Sequence, residues 1–244
     1  LHRGVHAIVE RQIGRWNAER RADTKKAREA AVPRPVITVS RQLGSGGAEV
    51  ASEVALRMNC EFIGYEIINE IANRNGICEE LMKALDERTR TTQEKWIDSM
   101  IRKWNFDETD YYRHLIAAVR SIAEIGSVVI LGRGACFIET SRPKINIRVI
   151  APLENRIERV MKRVKCEREE ARERIERRDL ERKRFIKYLF DMDIDDPLHY
   201  DIVINTGEVS IVCAAALIER VWLHHITNLG KTDERQMTTR QLVY

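Results

Sequence analysis

Apolar residues recur along this chain in two rhythms. Five short runs are dense in β-branched and other apolar residues: VITVS (36–40), EFIGY (61–65), SVVILGRG (127–134), INIRVIA (145–151) and YDIVINT (200–206). Runs of that length and composition suit buried strands of a parallel sheet. Between them the spacing becomes helical. Val50, Val54, Ala55 and Met58 share one helix face, as do Leu153, Ile157, Val160, Met161 and Val164. EIINEIANRNG predicts a helix stopped near Gly76, and VSIVCAAALIERVWL predicts the last core helix.

Strands alternating with helices predict right-handed crossovers and a five-stranded parallel sheet in a three-layer α/β/α domain over 36–226. Open sheets bind ligands at the carboxyl ends of their strands. The site is therefore expected around Ser40–Arg41, Gly132–Arg133, Ala151–Pro152 and Asn205–Thr206. Two helical excursions interrupt the alternation. One covers 65–125, with Leu81, Leu85, Trp96, Met100, Trp104, Leu115, Val119 and Ile122 as its apolar positions; the other covers 168–198 and is mostly charged. Residues 1–35 predict a helical appendage, with Val5, Ile8, Val9, Ile13 and Trp16 near one face before charge takes over. VPRPV ends that helix, because each proline disfavours helix in the residue before it. Residues 227–244 read as a polar, frayed tail.

Charge sharpens this picture. The net charge of +4 hides +5 in residues 1–35 and +6 in 156–187, which leaves −7 for the remainder. Basicity confined to two segments argues against a chain-wide nucleic-acid footprint. The 5 cysteines are far apart and lack C-x-x-C spacing, which speaks against a disulfide framework or a zinc site and for reduced thiols in a cytoplasm. No run approaches the ~20 apolar residues of a membrane span, and no secretory signal is visible. The histidines show no metal spacing, and no Ser-His-Asp or Cys-His arrangement stands out.

RQLGSGGAE (41–49) sits between the first strand and a helix, the setting of a phosphate-binding loop. The usual loop reads G-x-x-x-x-G-K-S/T. Here Arg41 holds the first glycine slot and Gly47 the lysine slot. Gly44, Ser45, Gly46 and Gly47 can turn successive N–H groups inward as an anion nest. The following helix adds its positive end. Hydrogen bonds to charged groups contribute roughly 1.5–3 kcal/mol each, so several amides can hold phosphate without a lysine. Arg41, at the loop entrance, is the candidate substitute cation.

VITVSRQLGSGGAEVASEVA, VVILGRGACFI, RVIAPLENRIERVMKR and YDIVINT together resemble the cytidylate kinase-like family, relatives of the nucleoside monophosphate kinases. The resemblance runs from about Val36 to Leu223. It implies a P-loop kinase fold, a helical monophosphate-binding region at the first excursion, a mobile lid at the second, and magnesium-dependent phosphoryl transfer from ATP to a nucleotide. Compared with a true cytidylate kinase, Glu49 stands for a hydroxyl residue. Members of the family often carry arginine where this chain has Ala48.

The resemblance places a substrate arginine at Arg133, whose flanking glycines allow a sharp turn. In the lid, Arg174, Arg178 and Arg182 fall four apart on one helical face, with Arg177, Arg184 and Lys187 nearby. Arg178–Asp179 resembles the lid R-D pair of cytidylate kinases, which implies that Asp179 contacts the nucleotide sugar or orients an arginine. Glu49 reads either as a magnesium ligand or as an ordinary first-turn glutamate. Arg88, Arg90, Arg102, Arg113, Tyr111 and Tyr112 are the polar candidates on the acceptor side.

Transfer chemistry is thus expected from Arg41, Arg133, Arg178 and Arg182. Nucleotide binding is expected from Gly44, Ser45, Gly46, Gly47, Ala48, Glu49 and Arg174, and no residue is assigned to metal. The expected activity is ATP-dependent phosphorylation of a nucleoside monophosphate of the cytidylate type, or of a similar small acceptor. Its rival is a non-catalytic nucleotide sensor or interaction module on the same fold. The partners expected are ATP, Mg2+ and the acceptor, without nucleic acid or membrane, with a homodimer through the first helix as a further expectation.

Overall fold

A computed structural model describes residue 14 and residues 34–73 and 110–241. Most of the 1–35 appendage and residues 74–109 of the first excursion lie outside these, and with them Arg88, Arg90 and Arg102.

The five β-rich runs form five strands: β1 Val36–Arg41, β2 Glu61–Ile63, β3 Val128–Leu131, β4 Ile145–Ile150 and β5 Ile202–Asn205. All pairings are parallel, in the order β2-β3-β1-β4-β5. β1 lies at the centre, so the loop that follows it opens at the middle of the sheet's carboxyl edge.

Helices cover both faces, and β3, buried throughout, shows no polar alternation, whereas β4 carries Asn146 and Arg148 between its apolar residues and β5 leaves Val203 and Asn205 exposed. Along β3, Val128 and Ile130 point into one core and Val129 and Leu131 into the other. The first core is closed by α2 (Tyr65–Asn73), α3 (Asp110–Ile125) and the end of the long helix α5 (Arg168–Phe190), through Ile68, Leu115, Val119 and Phe190. The second is closed by α1 (Gly47–Arg57) and α6 (Ile211–Gln241), through Val50, Val54, Ile218 and Trp222. Burying each such side chain contributes roughly 1.5–3 kcal/mol. Helix α4 (Leu153–Val164) meets α5 in a small third cluster that includes Ile157, Val160, Ala171 and Ile175.

Helix ends follow local chemistry. Ser210 Oγ accepts from Cys213 N at 3.2 Å and so caps α6. α4 and α5 stop where Lys165 and Asp191 turn left-handed. The last helix runs past 227 and continues to Gln241. Residues 227–241 contain no proline, and Leu229, Lys231, Glu234, Arg235 and Gln236 are good helix formers. Polarity alone is not a stop signal. Among the described residues, no helix is long and apolar enough to cross a membrane.

Candidate functional site

The site starts where β1 ends. Gln42 N donates to Val149 O at 3.1 Å, the last rung of the β1–β4 ladder, before the chain turns through 42–46 into α1. Gly46 caps α1 in a left-handed conformation and offers no side chain to the helix. The first helical bond is Val50 N to Gly46 O, 2.9 Å. Among the described residues the N–H groups of Gly46, Gly47, Ala48 and Glu49 therefore lack an acceptor, as does that of Gly44. Unpaired first-turn donors at the positive end of a helix are the ordinary means of binding an anion.

The lysine slot is filled from elsewhere. A Cβ on Gly47 would lie 2.5 Å from Arg41 Cβ and 3.1 Å from its Cγ. The Arg41 stem thus crosses the space that a side chain at 47 would need. Its guanidinium ends against Gly132, where an added Cβ would meet the guanidinium carbon at 3.2 Å. Gly47 and Gly132 leave room for Arg41 at each end of its path, so the missing lysine and the added arginine form one arrangement.

Gly132, Arg133 and Gly134 are all left-handed, with φ of 83°, 53° and 70°. Such a conformation strains a non-glycine residue by on the order of 1–3 kcal/mol and clusters at functional sites. It aims Arg133 at the same place as Arg41. The Arg41 and Arg133 guanidinium carbons lie 5.5 and 5.6 Å from the centroid of the Tyr65 ring, and Arg133 also lies 5.5 Å from that of Phe185. Lys144 secures the turn from behind: its Nζ donates to Ala135 O (3.2 Å), Cys136 O (3.0 Å) and Ile138 O (2.5 Å). Burial pushes the Lys144 ammonium down to about 8.

These groups face helix α5 across a cavity of about 300 Å³. Arg41, Arg133, Arg163, Arg174, Arg178 and Arg182 line it, with Glu181 the carboxylate among its lining residues. The structure thus brings five predicted arginines together and adds Arg163. Arg178 is half-exposed and donates to Glu181 at 2.8 Å. Arg182 reaches over to donate to Arg41 O at 3.2 Å. Burial and then Arg182 push the Arg41 guanidinium well below its ordinary value, against a weaker opposing pull from Tyr65 and Glu66. Burial likewise lowers Arg182, and Asp179 opposes it. Among the described residues the Arg133 Nε is buried and has no hydrogen-bond partner. Crowded, desolvated cations and an orphaned donor are the state an anion would relieve.

The predicted loop residues Gly44 to Glu49 are not cavity walls; Leu43 is. Ser45 is buried and donates its Oγ to Gln42 O at 2.9 Å. Ala48 packs on the second core, and Glu49 is exposed in the first turn of α1. Tyr111 hydrogen-bonds Asn69, and Tyr112 stacks near Tyr188, 6.0 Å between centroids. Among the described residues no three His, Cys, Asp or Glu side chains gather as a metal site.

Sequence reasoning missed how α5 is tied to the loop. Asp179 Oδ1 accepts from Leu43 N at 2.8 Å and from Arg182 at 3.3 Å, while Oδ2 accepts from Arg156 at 2.5 Å. It orients two arginines, as one branch of the expectation held, and also pins the backbone 136 residues away. Only the R-D pair hinted at it; the loop contact has no local signal. We expect Asp179→Ala to lower stability by about 1–3 kcal/mol, since it strands Arg156 and Arg182 without their carboxylate. Urea denaturation checks this, and an unchanged midpoint would show the tie to be idle.

A model described as the cytidylate kinase-like family matches residues 36–208. The chain is similar to the cytidylate kinase of Methanocaldococcus jannaschii, 30% identical over 180 residues that cover 71% of this chain and 89% of that one. The cytidylate kinase of Staphylothermus marinus is also 30% identical, over 178 residues covering 72% and 89%. Among solved structures, an uncharacterized protein from Eubacterium ventriosum superposes with a TM-score of 0.60 at 22% identity, covering 78% of this chain and 98% of that one. That likeness concerns the fold alone.

Proposed function

We propose that this chain, which belongs to the cytidylate kinase-like family, transfers the terminal phosphoryl group of ATP to a nucleoside monophosphate, with cytidylate as the first acceptor to test. The observation that carries the reading is the convergence of Arg41, Arg133 and Arg182 on one cavity beside a loop in which, among the described residues, the N–H groups of Gly44, Gly46 and Gly47 lack acceptors. The relatives' names support the reaction class.

In the transfer, the bond between the terminal phosphorus and its bridging oxygen breaks, and a bond to an acceptor phosphate oxygen forms; ADP leaves. The loop amides hold the donor phosphates, and Arg41 sits over the loop where charge on the moving group must be balanced. Arg133 holds the acceptor phosphate through its planar fork. Arg174, Arg178 and Arg182 cover the group from the lid side, excluding water and strengthening each of these contacts. Catalysis is positioning and electrostatics, with no covalent intermediate. A magnesium ion travelling with ATP would be bound mainly by phosphate oxygens and water, since the described residues offer no carboxylate cage. A cytoplasmic location fits this chemistry.

The second reading, nucleotide binding without turnover, is favoured by the absent loop lysine. ATP and magnesium with CMP, UMP, AMP and GMP in turn separate the two by ADP formation and thermal shift. Turnover with a monophosphate, CMP foremost, is expected. Stabilisation by ATP with no turnover on any acceptor would establish the sensor instead.

A further inference from the structure

The loop that would hold phosphate is itself held from behind. Thr206, just after β5, is buried, and its N–H donates to Ile150 O at 2.9 Å. Its Oγ1 lies 2.5 Å from Ser45 O and 3.3 Å from Ile150 O. A hydroxyl has one proton, so the shorter contact takes it. Arg159, on α4, fixes that choice. Its NH1 donates to Thr206 Oγ1 at 3.0 Å and its NH2 to Thr206 O at 2.6 Å. Donation into the hydroxyl's lone pair turns the proton away, toward Ser45 O. The same NH1 is 3.4 Å from Gly44 O and would be 3.6 Å from a Cβ on Gly46. No carboxylate among the described residues forms an ion pair with Arg159.

Ser45 C=O and Gly46 N–H belong to one peptide unit. A strong donor at the carbonyl end polarises the unit and makes its N–H a better donor. Gly46 N–H is one of the loop donors that lack an acceptor. The chain Arg159, Thr206, Ser45 carbonyl, Gly46 amide therefore runs from a cation that forms no ion pair among the described residues to the face where phosphate would sit. We infer that Thr206 and Arg159 are positioning residues of the phosphate loop: they orient the Ser45–Gly46 peptide and deliver to it, through hydrogen bonds, part of the positive character that a loop lysine would supply. The inference rests on the nucleotide-binding reading above. It concerns residues that touch the loop's rear and not the nucleotide.

Thr206→Val keeps the side chain's shape and removes the hydroxyl; Thr206→Ser keeps the hydroxyl. Arg159→Met removes the charge at similar length. ATP affinity measured by calorimetry should fall roughly tenfold in Thr206→Val and in Arg159→Met. It should recover in Thr206→Ser, and the two losses should not add in the double variant. The ¹⁵N resonance of the Gly46 amide, read in glycine-labelled protein without ligand, should move in Thr206→Val and return in Thr206→Ser. That resonance separates the two ideas: a parent that does not bind ATP sinks the nucleotide reading, and the Gly46 shift still decides whether Thr206 sets the loop. A folded Thr206→Val with the parent's Gly46 resonance would overturn the inference, as would parental ATP affinity in both single variants.

Discussion

Arg41→Ala lowers turnover by about 10²–10³-fold while ATP binding stays measurable, the loss expected when one preorganised donor to transition-state charge is removed. The residue is placed for that role by its path. Its stem lies on Gly47, its guanidinium rests on Gly132, and the Tyr65 ring lies 5.5 Å away. Burial and Arg182 both disfavour its charge, so it is set to gain most when a phosphate arrives. Ground-state binding depends chiefly on the loop amides, which the substitution leaves in place. Arg41→Lys should recover only part of the rate, because a point charge replaces a planar fork stacked beside an aromatic ring. Steady-state ADP formation with calorimetry in parallel reads both quantities. Equal turnover in Arg41→Ala would remove the substitute-cation role.

Gly47→Lys, which restores the usual loop residue, is expected to damage the protein. Any Cβ at 47 lands 2.5 Å from Arg41 Cβ and 3.3 Å from Val149 Cβ. Forcing an extra side chain into such a contact costs about 1–3 kcal/mol and displaces Arg41 from Gly132. Turnover should then fall to a level near that of Arg41→Ala. The double variant Arg41→Ala with Gly47→Lys is the informative one: the alanine vacates the path, and the ammonium can take the cation's place. It should be more stable than Gly47→Lys alone and more active than Arg41→Ala alone, a coupling that a double-mutant cycle measures. Strict additivity would mean that the two positions do not share one space.

Much of this was legible in the residue order. Apolar, largely β-branched runs marked all five strands, most plainly β3, which is buried on both faces and has no polar alternation to blur it. The carboxyl ends of β1 and β3 pointed to Arg41 and Arg133, and four-residue spacing put Arg174, Arg178 and Arg182 on one face of α5. What escaped was decided by side-chain paths and distant contacts. Nothing near Asp179 announces that it accepts the Leu43 N–H. Tyr65 reads as the end of a strand run, yet it begins α2 and lies beneath two guanidinium groups. Thr206 could be placed at a strand end, but its bond to Ser45 spans 161 residues. The arginines of α4 were given no role by the sequence reading, although Arg156 and Arg159 are turned to the loop. The length of α6 was hidden because a polar sequence without proline carries no instruction to stop.

The central claim is that main-chain amides and Arg41, in place of a loop lysine, hold the donor's phosphates. A crystal structure with a nonhydrolysable ATP analogue tests it most directly. Phosphate oxygens should lie about 3 Å from the N–H groups of Gly44, Gly46 and Gly47, with the Arg41 guanidinium on the terminal phosphate. An analogue bound away from this loop, or bound there with Arg41 turned from the phosphates, would contradict the account.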